Sequence, residues 1–409
     1  MSQAAGSTVS KSRNFSLMTA ILCWSGMMVM SSLYVTIPLI SLFADFFSIT
    51  PTQAAAAGSI FSMGFAMGCL IYGALSDKYG RKQVIFIGLL ALTLISLLLG
   101  MVDSFFWMVV LRGMQGFAAA TFSPVALAYA VEMFPAEKRV TTIGFISTGF
   151  LVAGIIGQVV SALISEQYGW NTVFYLLAGV YAITAFLILR FLPKGEIQQA
   201  HANVWESLKQ IGGVFSQKNL VLSYIVAMVL LMSFVSMYTV LGNYLSGPDF
   251  GLNSEEILYI RSIGVLGMLV SPLSGRLSKH FGVRAVLLGG LLLAIAGLAF
   301  LGMISNLPLL IVMSLIFVTG IALSVPALVS LVGQLGGKAR GIAVSMYTFV
   351  LFAGTSMGPV ISIRLMEMGS YLLTFLLLAL NLSIGLLAAW LIHRETPEEP
   401  QVTTKMFFK

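Results

Sequence analysis

Long apolar stretches separated by short polar ones run along almost the whole chain. Each stretch has about the 20 residues that a membrane-spanning helix needs, and prolines, glycines and charged residues mark the interruptions. This pattern predicts an all-α membrane protein with twelve transmembrane helices. The predicted spans are residues 17–43, 52–75, 83–102, 105–132, 140–165, 170–192, 219–246, 255–277, 284–304, 307–334, 341–366 and 371–393.

The composition excludes a water-soluble protein. Only 9% of the 409 residues are charged and 58% are hydrophobic, whereas about a quarter of the residues in soluble domains are charged. The first apolar run is too long for a signal peptide and lacks a small-residue cleavage pattern, so we expect the first helix to be retained. Cys23 and Cys69 lie in apolar stretches without metal-ligand spacing, and we predict no metal site and no cofactor.

The basic residues indicate the orientation in the membrane. If the N-terminus is cytoplasmic, 19 of the 22 Lys and Arg residues fall in the tails and loops of that side, and none falls in a loop of the other side. We therefore expect a multi-pass protein of a bacterial inner membrane with both termini in the cytoplasm. The remaining three, Arg112, Arg261 and Arg364, lie inside predicted helices. No basic patch is left for nucleic acid.

The longest polar stretch divides the chain into two sets of six spans. It covers residues 193–218, and we interpret it as a cytoplasmic linker that includes an amphipathic surface helix around residues 204–214. The predicted domains are accordingly an N-terminal bundle at 1–192 and a C-terminal bundle at 219–409.

The two sets of spans resemble each other in sequence. GALSDKYGRKQVI at 73–85 resembles GRLSKHFGVRAVL at 275–287, and Pro124 recurs as Pro326 at the same offset. Matches that keep phase across several spans indicate a duplicated unit. We therefore predict two six-helix bundles related by an axis along the membrane normal.

One loop carries a specific motif. Gly73, Asp77, Gly80, Arg81 and Lys82 stand between predicted spans 2 and 3, and together they resemble the GxLxDxxGRK signature of the major facilitator superfamily. Glycines permit a tight turn between two helices, and an aspartate can cap or pair with the end of a helix from the other half. The resemblance extends over the whole chain, through its length, twelve spans, long central loop and second, eroded copy of the motif.

The resemblance implies the superfamily fold and a role for this loop. In that family the loop acts as a cytoplasmic latch that favours the outward-open state, and a carboxylate at the inner end of span 4 pairs with the loop arginine. Glu132 occupies that place. The latch candidates are therefore Gly73, Asp77, Gly80, Arg81, Lys82 and Glu132, and we expect Asp77, Arg81 and Glu132 to form its charged contacts. The alternative is that Arg81 only sets the topology and that Glu132 is solvated.

A second motif lies in span 4. Arg112, Gln115 and Gly116 resemble the RxxQG motif that is associated with proton-coupled members of the superfamily. A charge at that depth is costly unless it faces a cavity or a partner. We therefore expect Arg112, Gln115 and Asp45 to take part in proton coupling or to line the outer half of a central cavity. The alternative is that Arg112 extends to the outer headgroups.

Two features of the sequence differ from those of many drug exporters of the same family. The glycine-proline signature of span 5 lacks its proline around Gly157, and span 1 carries Ser31 and Ser32 where many exporters have an acidic residue. No Asp or Glu lies at the middle of a predicted helix. The usual counter-ion for cationic drugs is therefore missing.

Five residues are candidates for substrate contact. The acidic residues nearest before Arg261 in its helix are five and six positions away, whereas ion pairs along a helix form between residues three or four positions apart. The residues three and four positions from Arg261 are uncharged. We hypothesise that it contacts an acidic group of the substrate; the alternative is that it bends toward the headgroups. The candidate polar contacts beside it are Tyr34, Gln158, Asn243 and Asn381.

The predicted function is secondary active transport. We expect a monomeric, proton-coupled exporter of small amphipathic molecules or drugs that rocks two bundles around a central site. The first alternative is a proton-coupled symporter that imports an anionic or zwitterionic metabolite, and the second is a receptor that binds without translocation. No enzymatic activity is expected, since no His or Asp cluster lies inside the helices.

Overall fold

The computed structural model describes residues 14–195, 216–367 and 369–392, and all regular secondary structure in these ranges is helical. Eleven helices, or helix pairs that continue each other, are long and apolar enough to cross a membrane, and one further pair bent by 41° completes twelve spans. Spans 1 to 12 are Phe15–Tyr34, Ala56–Tyr79, Arg81–Gly100, Phe105–Met133, Ala136–Tyr168, Trp170–Phe191, Lys218–Ser246, Ser254–Met268 with Leu273–Phe281, Val283–Leu301, Leu307–Leu335, Arg340–Met366 and Tyr371–Leu391. Most of the predicted linker, with its amphipathic helix, and the ends of both tails lie outside the described residues.

Span 1 is shorter than predicted. The helix ends at Tyr34, and a separate short helix, Ile40–Phe47, follows where the hydropathy pattern predicted one span to residue 43. Pro38 explains the break because it cannot donate a backbone hydrogen bond and it restrains Ile37 away from the helical conformation. The break releases backbone carbonyls of the last turn from the helical ladder.

Two further spans contain breaks beside a proline. Span 4 consists of the helices Phe105–Ala119 and Ser123–Met133, and Pro124 stands in the first turn of the second one. Span 8 breaks between Met268 and Leu273, next to Pro272. Pro326, in contrast, lies inside the unbroken helix of span 10, so the two repeats differ at this matched proline.

The turns repeat between the halves. Gly80 and Gly282, with φ of 91° and 85°, join spans 2 to 3 and 8 to 9, while Gly169 and Gly369, with φ of 81° and 82°, join spans 5 to 6 and 11 to 12. Residues other than glycine rarely adopt this conformation. The same turn chemistry therefore recurs at corresponding places, as a duplicated unit requires.

The two bundles touch closely at one end of the molecule, which we call the latch end because Asp77 and Arg81 lie there. A Cβ atom added to Gly73 would lie 2.7 Å from the Ser345 Cβ atom, and one added to Gly275 would lie 2.5 Å from the Thr141 backbone nitrogen. Spans 2 and 11, and likewise spans 8 and 5, therefore approach at glycine. These paired contacts close the latch end.

The outer surface of the bundles is apolar. Leu94, Ile183 and Leu380 are among many large hydrophobic side chains that remain about 60% exposed. Exposed apolar surface on this scale would be unstable in water. It fits a protein surrounded by lipid.

Candidate functional site: the latch and the central cavity

Arg81 is the centre of the charged cluster at the latch end. Its Nη2 and Nε atoms donate to the two carboxylate oxygens of Glu132 at 2.7 and 3.2 Å, and its Nη1 atom donates to the Gly73 carbonyl and the Ser76 hydroxyl. Only 3% of Arg81 is exposed. A forked guanidinium–carboxylate pair in such a buried place has a fixed geometry, so the structure brings the predicted arginine and carboxylate together.

Asp77 connects this cluster to the other bundle. Its carboxylate forms an ion pair with Arg81 and lies against the first turn of span 11, since a Cβ atom added to Gly341 would be 2.5 Å from both carboxylate oxygens. Helix N-termini attract negative charge. The cluster has two carboxylates for one guanidinium, and the N-terminus of span 11 faces the second negative charge.

Lys82 points away from this interface. Its ammonium group donates to the backbone carbonyls of Leu189, at 2.7 Å, and Leu192 at the end of span 6. The prediction that Lys82 belongs to the latch is therefore corrected, because the unpaired carbonyls at a helix C-terminus attract the cation. Arg284 forms the same contact with the Trp390 carbonyl in the second half.

Three adjoining cavities, which we call the central cavity, lie between the bundles on the side away from the latch end. Their volumes are 610, 40 and 270 Å³, and all three are lined by Tyr34 of span 1 and Val235 of span 7. The ring of Phe65 meets that of Phe352 at 4.6 Å between the halves, and both line the largest cavity. Met63, 59% exposed, stands at its rim.

The central cavity is apolar with a single charged residue. Its walls are formed mainly by aliphatic and aromatic side chains, and among the described lining residues only Arg261 is charged. Tyr34, Gln158 and Arg261 line the same 270 Å³ cavity. The structure thus brings three of the five candidate substrate residues together.

The other predicted cavity residues lie elsewhere. Asn243 is exposed and donates to the Thr239 carbonyl of its own helix, and Asn381 donates to the Ser233 hydroxyl between spans 12 and 7. Asp45 is exposed on the short helix after span 1 and forms no ion pair with a described residue. None of these three lines the central cavity, so the structure corrects their predicted place there.

Arg112 is also not a cavity residue, contrary to the prediction. It is fully buried, and its guanidinium lies 4.4 Å from the centre of the Phe61 ring. Its Nη2 and Nε atoms donate to the carbonyls of Ser32, at 2.9 Å, and Ala57, at 3.2 Å, while Nη1 donates to Gln115. Carbonyl oxygens and an aromatic face can stabilise a buried cation.

The contact with Ser32 explains why the cation lies here. Span 1 ends at Tyr34, so the Ser32 carbonyl has no helical donor and accepts from Arg112 instead. Gln115 completes the group by donating to the Ser96 hydroxyl at 2.8 Å. Arg112 and Gln115 therefore hold the broken end of span 1 against spans 2, 3 and 4.

Several site residues were missed by the sequence reasoning. Tyr238 accepts a hydrogen bond from Arg261 through its backbone carbonyl, Ser76 accepts from Arg81, and Phe352 and Val235 line the cavity. Ser76 lies inside the motif, but at a position where the signature specifies no residue. The others are ordinary residues of apolar helices, and only the rotation of each helix in the bundle decides which of them face the cavity.

Comparison with known proteins agrees with this architecture. The model of the Major Facilitator Superfamily matches residues 22–331 and 249–407. The chain belongs to the major facilitator superfamily. A Bacillus subtilis relative of the superfamily, the uncharacterised MFS-type transporter YybF, is 26% identical over 81% of this chain and 82% of its own length. The multidrug resistance protein MdtG of Serratia proteamaculans is 25% identical over 63% of this chain and 64% of its own length.

Solved structures of the superfamily have the same fold. The Escherichia coli fucose:proton symporter FucP superposes with a TM-score of 0.74 over 93% of this chain and 100% of that structure. The human organic anion transporter MFSD10 gives 0.71 over 92% and 99%. Both are 14% identical to this chain, so they establish the fold and not the substrate.

Proposed function

We propose that the protein is a proton-coupled secondary transporter that exports small amphipathic molecules by alternating access. The observation that carries the proposal is an apolar cavity between two bundles whose opposite end is closed by direct contacts between the bundles. A cavity of several hundred Å³ is the usual size for a small-molecule site. Opening the latch end while closing the other end would expose the same cavity to the other side of the membrane.

The latch supports a two-state cycle. Asp77 and Arg81 belong to the N-terminal bundle but face Gly341 of span 11, so separating the bundles removes a carboxylate from a helix N-terminus. Such an electrostatic contact is typically worth about 1 kcal/mol. The contact favours the state with a closed latch end without making the other state inaccessible.

The direction of transport and the side of the membrane on which the latch end lies are supported by different observations. The positive-inside rule puts the latch end in the cytoplasm, so the cavity described here would face outward. Export is suggested by the relatives that are named multidrug resistance proteins. The latch and the cavity are formed by residues of one chain, and the proposal therefore includes a monomeric transporter.

Proton coupling needs a group that gains and loses a proton during the cycle. Of the Asp and Glu side chains that the structure describes, only Asp77 and Glu132 are not exposed. Both bind Arg81 at the interface that opens and closes. The latch carboxylates are therefore the proton-carrying groups in this proposal.

The test is proton flux in proteoliposomes with imposed gradients of known direction. We expect an added amphipathic substrate to drive protons opposite to its own movement, and Glu132→Gln to weaken this coupling. Glu137→Gln is the matched control, since Glu137 is an exposed acid near the same end. Substrate-independent flux in the wild-type protein would contradict coupled transport.

Import by symport is the second candidate. The lone cation in the cavity favours a substrate with an acidic group, as a metabolite importer could require. The same flux experiment separates the two, because a symporter moves protons and substrate in one direction.

A further inference from the structure

Arg261 occupies the wall of the 270 Å³ part of the central cavity. It lies seven residues into span 8, about 10 Å from the start of that helix. Its Nη2 atom donates to the Tyr238 carbonyl at 2.9 Å, and a Cβ atom on Gly242 would collide with the same nitrogen. The side chain is therefore directed toward span 7 and does not extend to the headgroups.

No carboxylate that the structure describes balances the positive charge of Arg261. Both ion pairs among the described residues involve Arg81, and no described carboxylate lies within 4 Å of the Arg261 guanidinium. Glu256, on the same helix, instead accepts from the Asn253 backbone in the capping box that begins span 8. A cation in a membrane-embedded, mostly apolar cavity is costly without a partner.

Two polar groups beside the cavity lack partners as well. The Arg261 Nε atom and the Tyr238 hydroxyl are buried and form no hydrogen bond with a described residue. Buried donors without partners cost free energy, which a ligand that accepts from them would recover. Guanidinium groups bind carboxylate, sulfonate and phosphate groups through two parallel hydrogen bonds.

The rest of the cavity selects for an apolar body. Ile37, Leu151, Ile155 and Phe234 line this part of the cavity together with Arg261. Tyr34 lines both this part and the 610 Å³ part. An apolar ligand body would bury surface there, while its acidic group would reach Arg261. A strongly hydrated, fully polar metabolite would gain nothing from these walls.

We propose that Arg261 is an anion-binding point and that the cargo is a small amphipathic anion with one carboxylate or sulfonate on an apolar body. This inference rests on the proposed transport function, because it assigns the charge of the molecule that the cavity carries. It also separates the protein from exporters that select cations with a carboxylate in the same cavity.

The test is equilibrium binding of two matched fluorescent probes to the protein in phosphatidylcholine nanodiscs. Dansylglycine carries a carboxylate, and dansylglycinamide is its neutral counterpart of nearly equal size. We expect the wild-type protein to bind dansylglycine about tenfold or more tightly than the amide, as one charged hydrogen-bonded pair provides.

Four variants locate the effect. Arg261→Gln should remove the preference for the anion and leave binding of the amide unchanged, while Arg261→Lys should retain part of the preference because it keeps the charge but loses the fork. Gly242→Ala should reduce the preference by displacing the guanidinium. Arg364→Gln is the control, since Arg364 is an exposed cation at the same end of the molecule.

The possible outcomes distinguish a failure of the anion site from a failure of the proposed transport function. If both probes bind the wild-type protein equally and Arg261→Gln changes neither affinity, the anion site is wrong and amphipathic transport stands. If neither probe binds, the transport proposal fails with it. Displacement of dansylglycine by phosphatidylglycerol in the nanodisc would assign the site to a lipid headgroup and overturn a soluble cargo.

Discussion

At the scale of single residues, the latch depends on a glycine as much as on its charges. Gly341 leaves room for the Asp77 carboxylate and the Arg81 guanidinium, which would lie 2.5 and 2.8 Å from an added Cβ atom. Any other residue would push the carboxylate away from the first turn of span 11. The same site therefore requires both a charge and the absence of a side chain.

We expect Gly341→Ala to shift the protein toward the state in which the latch end is open, because the methyl group separates span 11 from Asp77. Distances between spin labels at the exposed positions Tyr79 and Phe281, in a background without the two cysteines, would measure the shift. Gly289→Ala is the control, since a Cβ atom there meets nothing within 4 Å. Equal distance distributions in the two variants would count against the contact.

The pairing of Arg81 with Glu132 was predictable from the resemblance to the superfamily, but the direction of Lys82 was not. Both cations stand side by side in the sequence, and the signature gives no reason to separate them. They diverge in the structure because successive residues of a helix point about 100° apart. One reaches the carboxylates, and the other reaches the carbonyl end of span 6.

At the scale of helices, the number of spans was predictable, but the breaks were less so. Apolar length decides whether a segment can cross a membrane, since the backbone must satisfy its own hydrogen bonds there. A hydropathy pattern does not show where the backbone hydrogen bonds of a helix are interrupted. Pro38 and Pro124 accompany breaks whereas Pro326 does not. A proline in the sequence therefore does not by itself predict a break in the helix.

The break in span 1 gives Arg112 a positioning role that can be tested. Arg112→Gln should leave the Ser32 or Ala57 carbonyl without a donor and lower the free energy of unfolding by about 1 to 3 kcal/mol. It should also weaken substrate binding, because Tyr34 lies two residues beyond Ser32 and lines the cavity. Thermal unfolding and probe titration would measure the two effects.

Arg112→Lys provides the comparison for this prediction. A lysine keeps the positive charge and a donor but cannot reach several acceptors in one plane, so we expect partial rescue of stability. A variant with unchanged substrate affinity at lowered stability would show that Arg112 has only a structural role and does not position the cavity.

At the scale of the whole molecule, the duplication was visible in the sequence, whereas the cavity lining was not. The motif copies and their spacing preserve the turns at Gly80 and Gly282. Which side chains face the cavity depends on how each helix is rotated within its bundle, and the sequence does not encode that rotation as a periodic signal. Tyr34 and Arg261 were found because polar residues are rare in such helices; Val235 could not be.

The orientation in the membrane is a separate prediction at this scale. Single cysteines at Gln198, in the linker beyond the described residues, and at Gly247, after span 7, should react with an impermeant thiol reagent from opposite sides. We expect the linker to be labelled from the cytoplasm because most basic residues fall on its side. Labelling of both from outside would exclude the twelve-span topology that we propose.

The most direct test of alternating access measures whether the central cavity can be reached by water-soluble reagents from each side of the membrane. A single cysteine at Thr355, which lines two parts of the cavity, would be labelled with an impermeant reagent in vesicles of both orientations. We predict labelling mainly from the side opposite the latch, and a rise of about 5-fold to 30-fold from the latch side in Asp77→Asn, as loss of about 1 to 2 kcal/mol would give. Equal labelling from both sides in the parent protein, or no change in the variant, would contradict the account.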